Sequence, residues 1–204
     1  KKDEKVMVAV TGASGAIYAE RLIDELLKRV RRVYLCVSET GQKVVHYELE
    51  KREAPLFSLR RSISGALTKE EKEVVRVFRC DDYFAPVASG SSSPDKMIVL
   101  PCSMGTIARI HSGVSSSLIE RSADVVLKQK RKLILCPRET PLNEIHLRNL
   151  LELSRMGVQI VPPMPGFYQK PKSLEDLVRF VVGRVLESLD FEHELYEPWA
   201  LKRR

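Results

Sequence analysis

Apolar positions along this chain follow two alternating rhythms. Val6-Met7-Val8-Ala9-Val10 is an unbroken apolar run, the pattern of a strand buried on both faces of a parallel sheet. A turn of small residues follows, Thr11-Gly12-Ala13-Ser14-Gly15, and the period then changes. Over residues 16–27, Ile17, Leu22, Ile23, Leu26 and Leu27 share one broad helical face. The switch recurs downstream. Residues 33–37, 74–78, 97–100 and 133–136 read as further strands, and 42–50, 118–128 and 142–156 as helices. A last helix opens on the capping box Ser173-Leu174-Glu175-Asp176, with Leu174, Leu177, Val178, Val181, Val182, Val185 and Leu186 as its buried stripe. Strands alternating with helices predict an α/β fold.

The places where strand gives way to helix carry the candidate chemistry. A strand, a Gly-rich turn and a helix point free backbone N–H groups and a positive helix end at a phosphate, and Ser14 adds a hydroxyl there. Gly12 and Gly15 are two of the three glycines of a dinucleotide fingerprint, and so short a turn suits a single phosphate better than a pyrophosphate. The alternative is a tight strand-to-helix connection with a Ser cap. Ser38 ends the second strand, where open α/β sheets bind ligands, and can also cap the next helix. Glu48, late in that helix, reads by itself as a solvated carboxylate.

Ser103, Met104, Gly105 and Thr106 make a second turn of the same kind, and two such turns in one sheet argue for a common ligand. Between them runs Ala85–Pro94, an uncharged Gly/Ser/Pro loop in which Ser89-Gly90 lets backbone approach a ligand closely. Arg121 and Lys128 lie two turns apart on one helix face. Arg138, at a strand's carboxyl end, is a poor packing choice and a good phosphate clamp. Cys102, at a loop, lacks the adjacent base that a nucleophile needs. Arg184 alone is a surface arginine, and Trp199 in the tail suits an anchor for the terminus or an oligomer contact.

Composition narrows the classes. At 204 residues, 44% hydrophobic and 30% charged, residues 1–204 are expected to form one domain with a real core. The net charge of +7 falls in short basic runs, two of them between a helix and the next strand, which suits small anions better than nucleic acid. No apolar run reaches the length of a membrane span and no signal peptide precedes the first strand, so a cytoplasmic address is expected. Cys36, Cys80, Cys102 and Cys136 show no ligand spacing; neither a disulfide nor a metal is expected. Residues 51–80 carry no legible chemistry.

Several motifs in one order carry a resemblance. Thr11-Gly-Ala-Ser-Gly15, Ala88-Ser-Gly90, Pro101-Cys-Ser-Met-Gly-Thr106, Leu118-Ile-Glu-Arg-Ser-Ala-Asp124 and Pro137-Arg-Glu-Thr-Pro-Leu-Asn-Glu-Ile-His146 resemble the UbiX-type flavin prenyltransferases, formerly labelled aromatic acid decarboxylases. The likeness continues through Pro162-Pro163-Met164-Pro165-Gly166-Phe167-Tyr168 and the last helix, leaving out only about residues 51–80. It implies a three-layer flavodoxin- or Rossmann-like parallel sheet with helices on both faces, assembled as a homododecamer with active sites between subunits. By resemblance, Gly12, Ala13, Ser14, Ser38, Ser103, Met104, Gly105, Thr106 and Arg138 hold FMN, and the Ser89-Gly90 loop covers it. Arg121, Lys128, Arg138, Tyr168 and Arg184 are implied to hold the phosphate of dimethylallyl monophosphate.

The implied reaction transfers the dimethylallyl group to N5 and C6 of reduced FMN, a substrate here, giving prenylated FMN for a UbiD-type decarboxylase. Glu48 and Glu139 are the implied acid/base carboxylates, Ser14 is counted with them as catalytic, and Trp199 offers an aromatic face to allylic cation character. No metal, nucleic acid or membrane is implied. Direct FMN-dependent decarboxylation and non-catalytic FMN binding are the competing functions, and neither gives the phosphate cage a purpose.

Overall fold

Four of the six strands are Val-, Ile- or Leu-rich runs that can be covered on both sides, and the chain uses them that way. The computed structural model describes residues 3–50 and 58–197. Strands β1 (Lys5–Val10), β2 (Arg32–Val37), β3 (Val75–Phe78), β4 (Lys96–Cys102), β5 (Lys132–Pro137) and β6 (Gln159–Ile160) form one parallel sheet in the order β3-β2-β1-β4-β5-β6. This is the doubly wound Rossmann order, in which the direction of winding reverses between β1 and β4.

Alternate residues of each strand feed two separate cores. Val6, Val8 and Val10 face helices α1 (Ala16–Leu27) and α8 (Leu174–Ser188), joined by residues of α2 (Glu39–Glu48) and α3 (Leu59–Ile63). Met7 and Ala9 face the other way, against α5 (Met104–His111), α6 (Leu118–Lys128) and α7 (Glu144–Arg155). The three-layer expectation holds, and α1 and α6 have the bounds that their periodicity predicts. Among the described residues no helix is long and apolar enough to cross a membrane.

The differences have local causes. Ser38 accepts from the Gly41 N–H and so starts α2 at Glu39, earlier than the apolar period shows. Asn143 and His146 form a capping box that starts α7 at Glu144. β4 runs on through Pro101, so Cys102 closes a strand and does not lie in a loop; burial pushes its thiol well above the usual range. Residues that looked featureless hold α3 and α4 (Lys69–Val74), the latter capped by Thr68 and Glu71, and β3 accordingly begins at Val75. The two-residue β6 is too short for any pattern to announce.

Cys36 and Cys136 are fully buried in the sheet. The Cys36 Sγ lies 3.1 Å from that of half-buried Cys80, and both are free thiols.

The capping box of α8 forms as expected, with Ser173 Oγ accepting from Asp176 N at 3.2 Å and Asp176 accepting from Ser173 N at 3.1 Å. Ser173→Ala is expected to lower stability by about 1 kcal/mol, read as a lower denaturation midpoint at an unchanged m value. Val178, Val181, Val182, Val185 and Leu186 of the stripe are buried, whereas Leu174 is exposed at the first turn.

Candidate active site

The reversal between β1 and β4 opens a crevice at the carboxyl ends of the strands, where α/β sheets of this kind bind ligands. Both predicted turns border it, and Thr11 ties them together. Its Oγ1 donates to Pro101 O at 3.0 Å and accepts from Ser103 N at 2.8 Å, and its own N–H donates to Pro101 O. A hydroxyl on the first residue past β1 is the sequence signal for this tie, which the motif contains but composition alone does not rank. Gly12 approaches α2 so closely that an added Cβ would sit 2.5 Å from Thr40 Cγ2, and Gly15 takes φ +112°, a left-handed conformation. Ser14 is exposed on the same turn and Ala13 is buried.

The first turn meets a carboxylate of its own chain. Glu48, at the end of α2, accepts from Gly15 N at 2.9 Å and from Ala16 N at 2.9 Å. Those two amides, expected to face a phosphate, cap α1 through Glu48 instead, and Ser14 is not the cap. Glu48 is therefore held by the turn that borders the crevice and is not a free solvated carboxylate. Burial, together with the nearby Glu48 charge, raises the Tyr18 phenol above its usual value.

The second turn begins α5. Ser103 caps it, accepting from Thr106 N at 3.3 Å, and its Oγ lies 3.0 Å from Thr106 Oγ1. Met104 and Thr106 are buried, while Gly105 is exposed. Arg138 follows β5 at the same edge; its backbone N–H donates to Cys102 O, and its exposed side chain makes no ion pair with the described residues. Glu139 beside it is exposed and accepts from Thr140 N at 3.0 Å. Partly exposed hydroxyls on Ser38 and Ser103, the exposed Gly105 backbone and a guanidinium with no ion pair among the described residues make a donor set that fits a flavin mononucleotide.

The remaining predicted residues do not converge on this crevice within one chain. Arg121 and Lys128 sit on α6; Arg121 donates to Ala88 O at 3.2 Å and pairs with Asp124 at 3.0 Å. Gly90 lies against Gln129, one residue past α6, so the Ser89-Gly90 loop belongs with Lys128 near the amino end of β5. Tyr168 and Arg184 form a third group, on the opposite face of the sheet. Tyr168 sets its ring edge-on to Phe180 at 5.6 Å, and Arg184 pairs with Glu187, which also accepts from the Tyr196 hydroxyl. Burial and the Glu187 bond push the Tyr196 phenol up to about 12. Trp199 lies outside the described residues.

Comparison with known proteins gives the same answer as the crevice. The Flavoprotein family model matches residues 1–186. The flavin prenyltransferase UbiX of Halalkalibacterium halodurans is 48% identical over 196 residues, covering 96% of this chain and 93% of that protein. The chain belongs to the UbiX flavin prenyltransferases.

Among solved structures of this family, AnUbiX (PadA1) in complex with FMN and dimethylallyl pyrophosphate superposes with a TM-score of 0.84 at 40% identity, covering 97% of this chain and 98% of that one. A dodecameric FMN-dependent UbiX-like decarboxylase from Escherichia coli O157:H7 gives a TM-score of 0.83 at 40% identity, covering 96% and 98%.

Proposed function

We propose that this UbiX-family chain transfers a dimethylallyl group from dimethylallyl monophosphate to N5 and C6 of reduced FMN, releasing prenylated FMN to a UbiD-type decarboxylase. The observation that carries the reading is Glu48, a carboxylate clamped by two amides of the turn that borders the crevice. Flavin storage needs no positioned proton carrier. The related structure holding FMN together with a prenyl pyrophosphate supports the pairing of substrates. Reduced FMN supplies the electron-rich ring that accepts the allyl group; the protein orients it, holds the leaving phosphate and handles one proton.

In this reading Gly12, Ala13, Ser14, Ser38, Ser103, Met104, Gly105, Thr106 and Arg138 hold the flavin. Arg121, Lys128, Arg138, Tyr168 and Arg184 receive the phosphate, with the Ser89-Gly90 loop over the ring and Trp199 facing the allyl group. A phosphate dianion needs several cationic donors, and the chain keeps them in three separate groups. We therefore assign the complete site to an assembly of copies, each contributing one group, and propose a homododecamer like the Escherichia coli relative. Helix α7 supports assembly, since Ile145, Leu147 and Leu151 are exposed apolar residues along it.

The test is anaerobic incubation with reduced FMN and dimethylallyl monophosphate, followed by mass analysis of the flavin. A flavin heavier by one C5 prenyl unit is expected. An unchanged flavin with both the monophosphate and the pyrophosphate would remove the prenyltransferase reading and leave flavin binding alone.

A further inference from the structure

Behind the second turn lies an ion pair that neither the flavin nor the prenyl donor is assigned to touch. Glu120 is 3% exposed, a depth at which a carboxylate must be paired and hydrogen-bonded. It accepts from Arg109 Nε at 2.8 Å and from the Ser117 hydroxyl, which also caps α6. The guanidinium, fixed there, folds back along α5. One of its terminal nitrogens lies 3.4 Å from where a Cβ on Gly105 would be, and the other donates to Thr106 Oγ1 at 3.1 Å. The chain of contacts thus runs from Ser117 through Glu120, Arg109 and Thr106 to Ser103.

The direction of these bonds follows from what each group can do. An arginine only donates, so Thr106 Oγ1 is an acceptor toward Arg109. Thr106 is 1% exposed, and its hydroxyl hydrogen has no solvent to go to. The Ser103 Oγ, 3.0 Å away, is the acceptor within reach. Ser103 already accepts from the Thr106 backbone N–H at 3.3 Å, so its oxygen is then filled from behind twice. Its own hydrogen is left to point outward. Ser103 is partly exposed at the crevice between β1 and β4, where an outward hydrogen meets whatever acceptor the ligand presents.

We propose that Arg109, held by Glu120, is a positioning residue that acts through Thr106 to fix Ser103 as a hydrogen-bond donor toward an acceptor oxygen of the bound flavin nucleotide. The proposal rests on the flavin reading of the crevice. It assigns Arg109 and Glu120 no contact with substrate. Without the guanidinium, Thr106 can accept from Ser103, and the serine turns its hydrogen inward.

The experiment measures the FMN dissociation constant by quenching of flavin fluorescence for the wild type, Ser103→Ala, Arg109→Leu, and the doubles of Arg109→Leu with Ser103→Ala and with Thr106→Val. Ser103→Ala and Arg109→Leu are each expected to weaken FMN about fivefold to tenfold, the worth of one hydrogen bond. Arg109→Leu should add nothing to Ser103→Ala, and Thr106→Val, which takes away the inward acceptor, should recover most of the Arg109→Leu loss. Losses that add in full in the Ser103→Ala background, or an Arg109→Leu loss that Thr106→Val leaves unchanged, would overturn the relay. Arg109→Leu joined to Glu120→Gln leaves no unpaired buried charge and serves in the same comparisons if Arg109→Leu alone does not fold. A wild-type protein that binds no FMN would instead sink the flavin reading, and this inference with it.

Discussion

Glu48→Gln is expected to slow flavin prenylation by about a hundredfold to ten-thousandfold, the range for loss of a general acid or base, while FMN binding stays nearly unchanged. The side chain is well placed to separate proton transfer from structure. Its carboxylate caps α1 by accepting from Gly15 N and Ala16 N, and the positive end of that helix favours an anion there. Both amides bond the same carboxylate oxygen, so an amide oxygen in its place keeps those two bonds, and the NH2 group replaces the second oxygen, which accepts from Gly15 N at 3.2 Å. One hydrogen bond is lost, at a cost of about 1 kcal/mol, which a domain with this core tolerates. The substituted side chain can no longer take or release a proton near neutral pH. Single-turnover prenylation followed by mass, beside a thermal melt, reads both effects. A variant that melts a few degrees lower yet prenylates at the wild-type rate would show Glu48 to be a helix cap only, and would move the acid/base role to Glu139.

How much of this was legible from residues depends on the range of the interaction. Helices α1 and α6 carry their own boundaries, because the apolar period and the flanking turn or basic run lie within the element. Ser38 and Ser173 announce caps within three residues of the amides that they accept from, and both form. The cap on α1 was not legible, since its acceptor Glu48 lies 33 residues from Gly15, in a helix whose position only the sheet decides. The relay behind Ser103 is hidden similarly, because Arg109 and Glu120 stand on different helices and look like ordinary surface charges in the chain. Apolar residues misled where they face outward. Leu174 continues a core stripe by period yet is exposed, as are Ile145, Leu147 and Leu151 on α7. A period reports that a face is apolar, not whether its own core or another copy covers it.

The placement of the cage yields the second large effect. Lys128→Ala and Arg184→Ala are each expected to cut prenylation a hundredfold or more, since in the proposed site each supplies one cation to a desolvated phosphate. Mixed within one assembly, the two dead variants are expected to recover activity. Lys128 ends α6 on one face of the sheet and Arg184 sits on α8 against the other, so the sheet and its side-chain layers separate them within a chain. A site that draws them from different copies is intact wherever the Lys128→Ala chain supplies Arg184 and the Arg184→Ala chain supplies Lys128. Random assembly of equal amounts makes that about one quarter of the sites. Co-expression with two affinity tags, then purification of doubly tagged oligomers, gives the sample to assay. A site built within one chain predicts no recovery at any mixing ratio, because every chain then carries one defect. Recovery near one quarter would establish that the phosphate is held between subunits, and it would explain why a chain of this family keeps its basic residues so far apart.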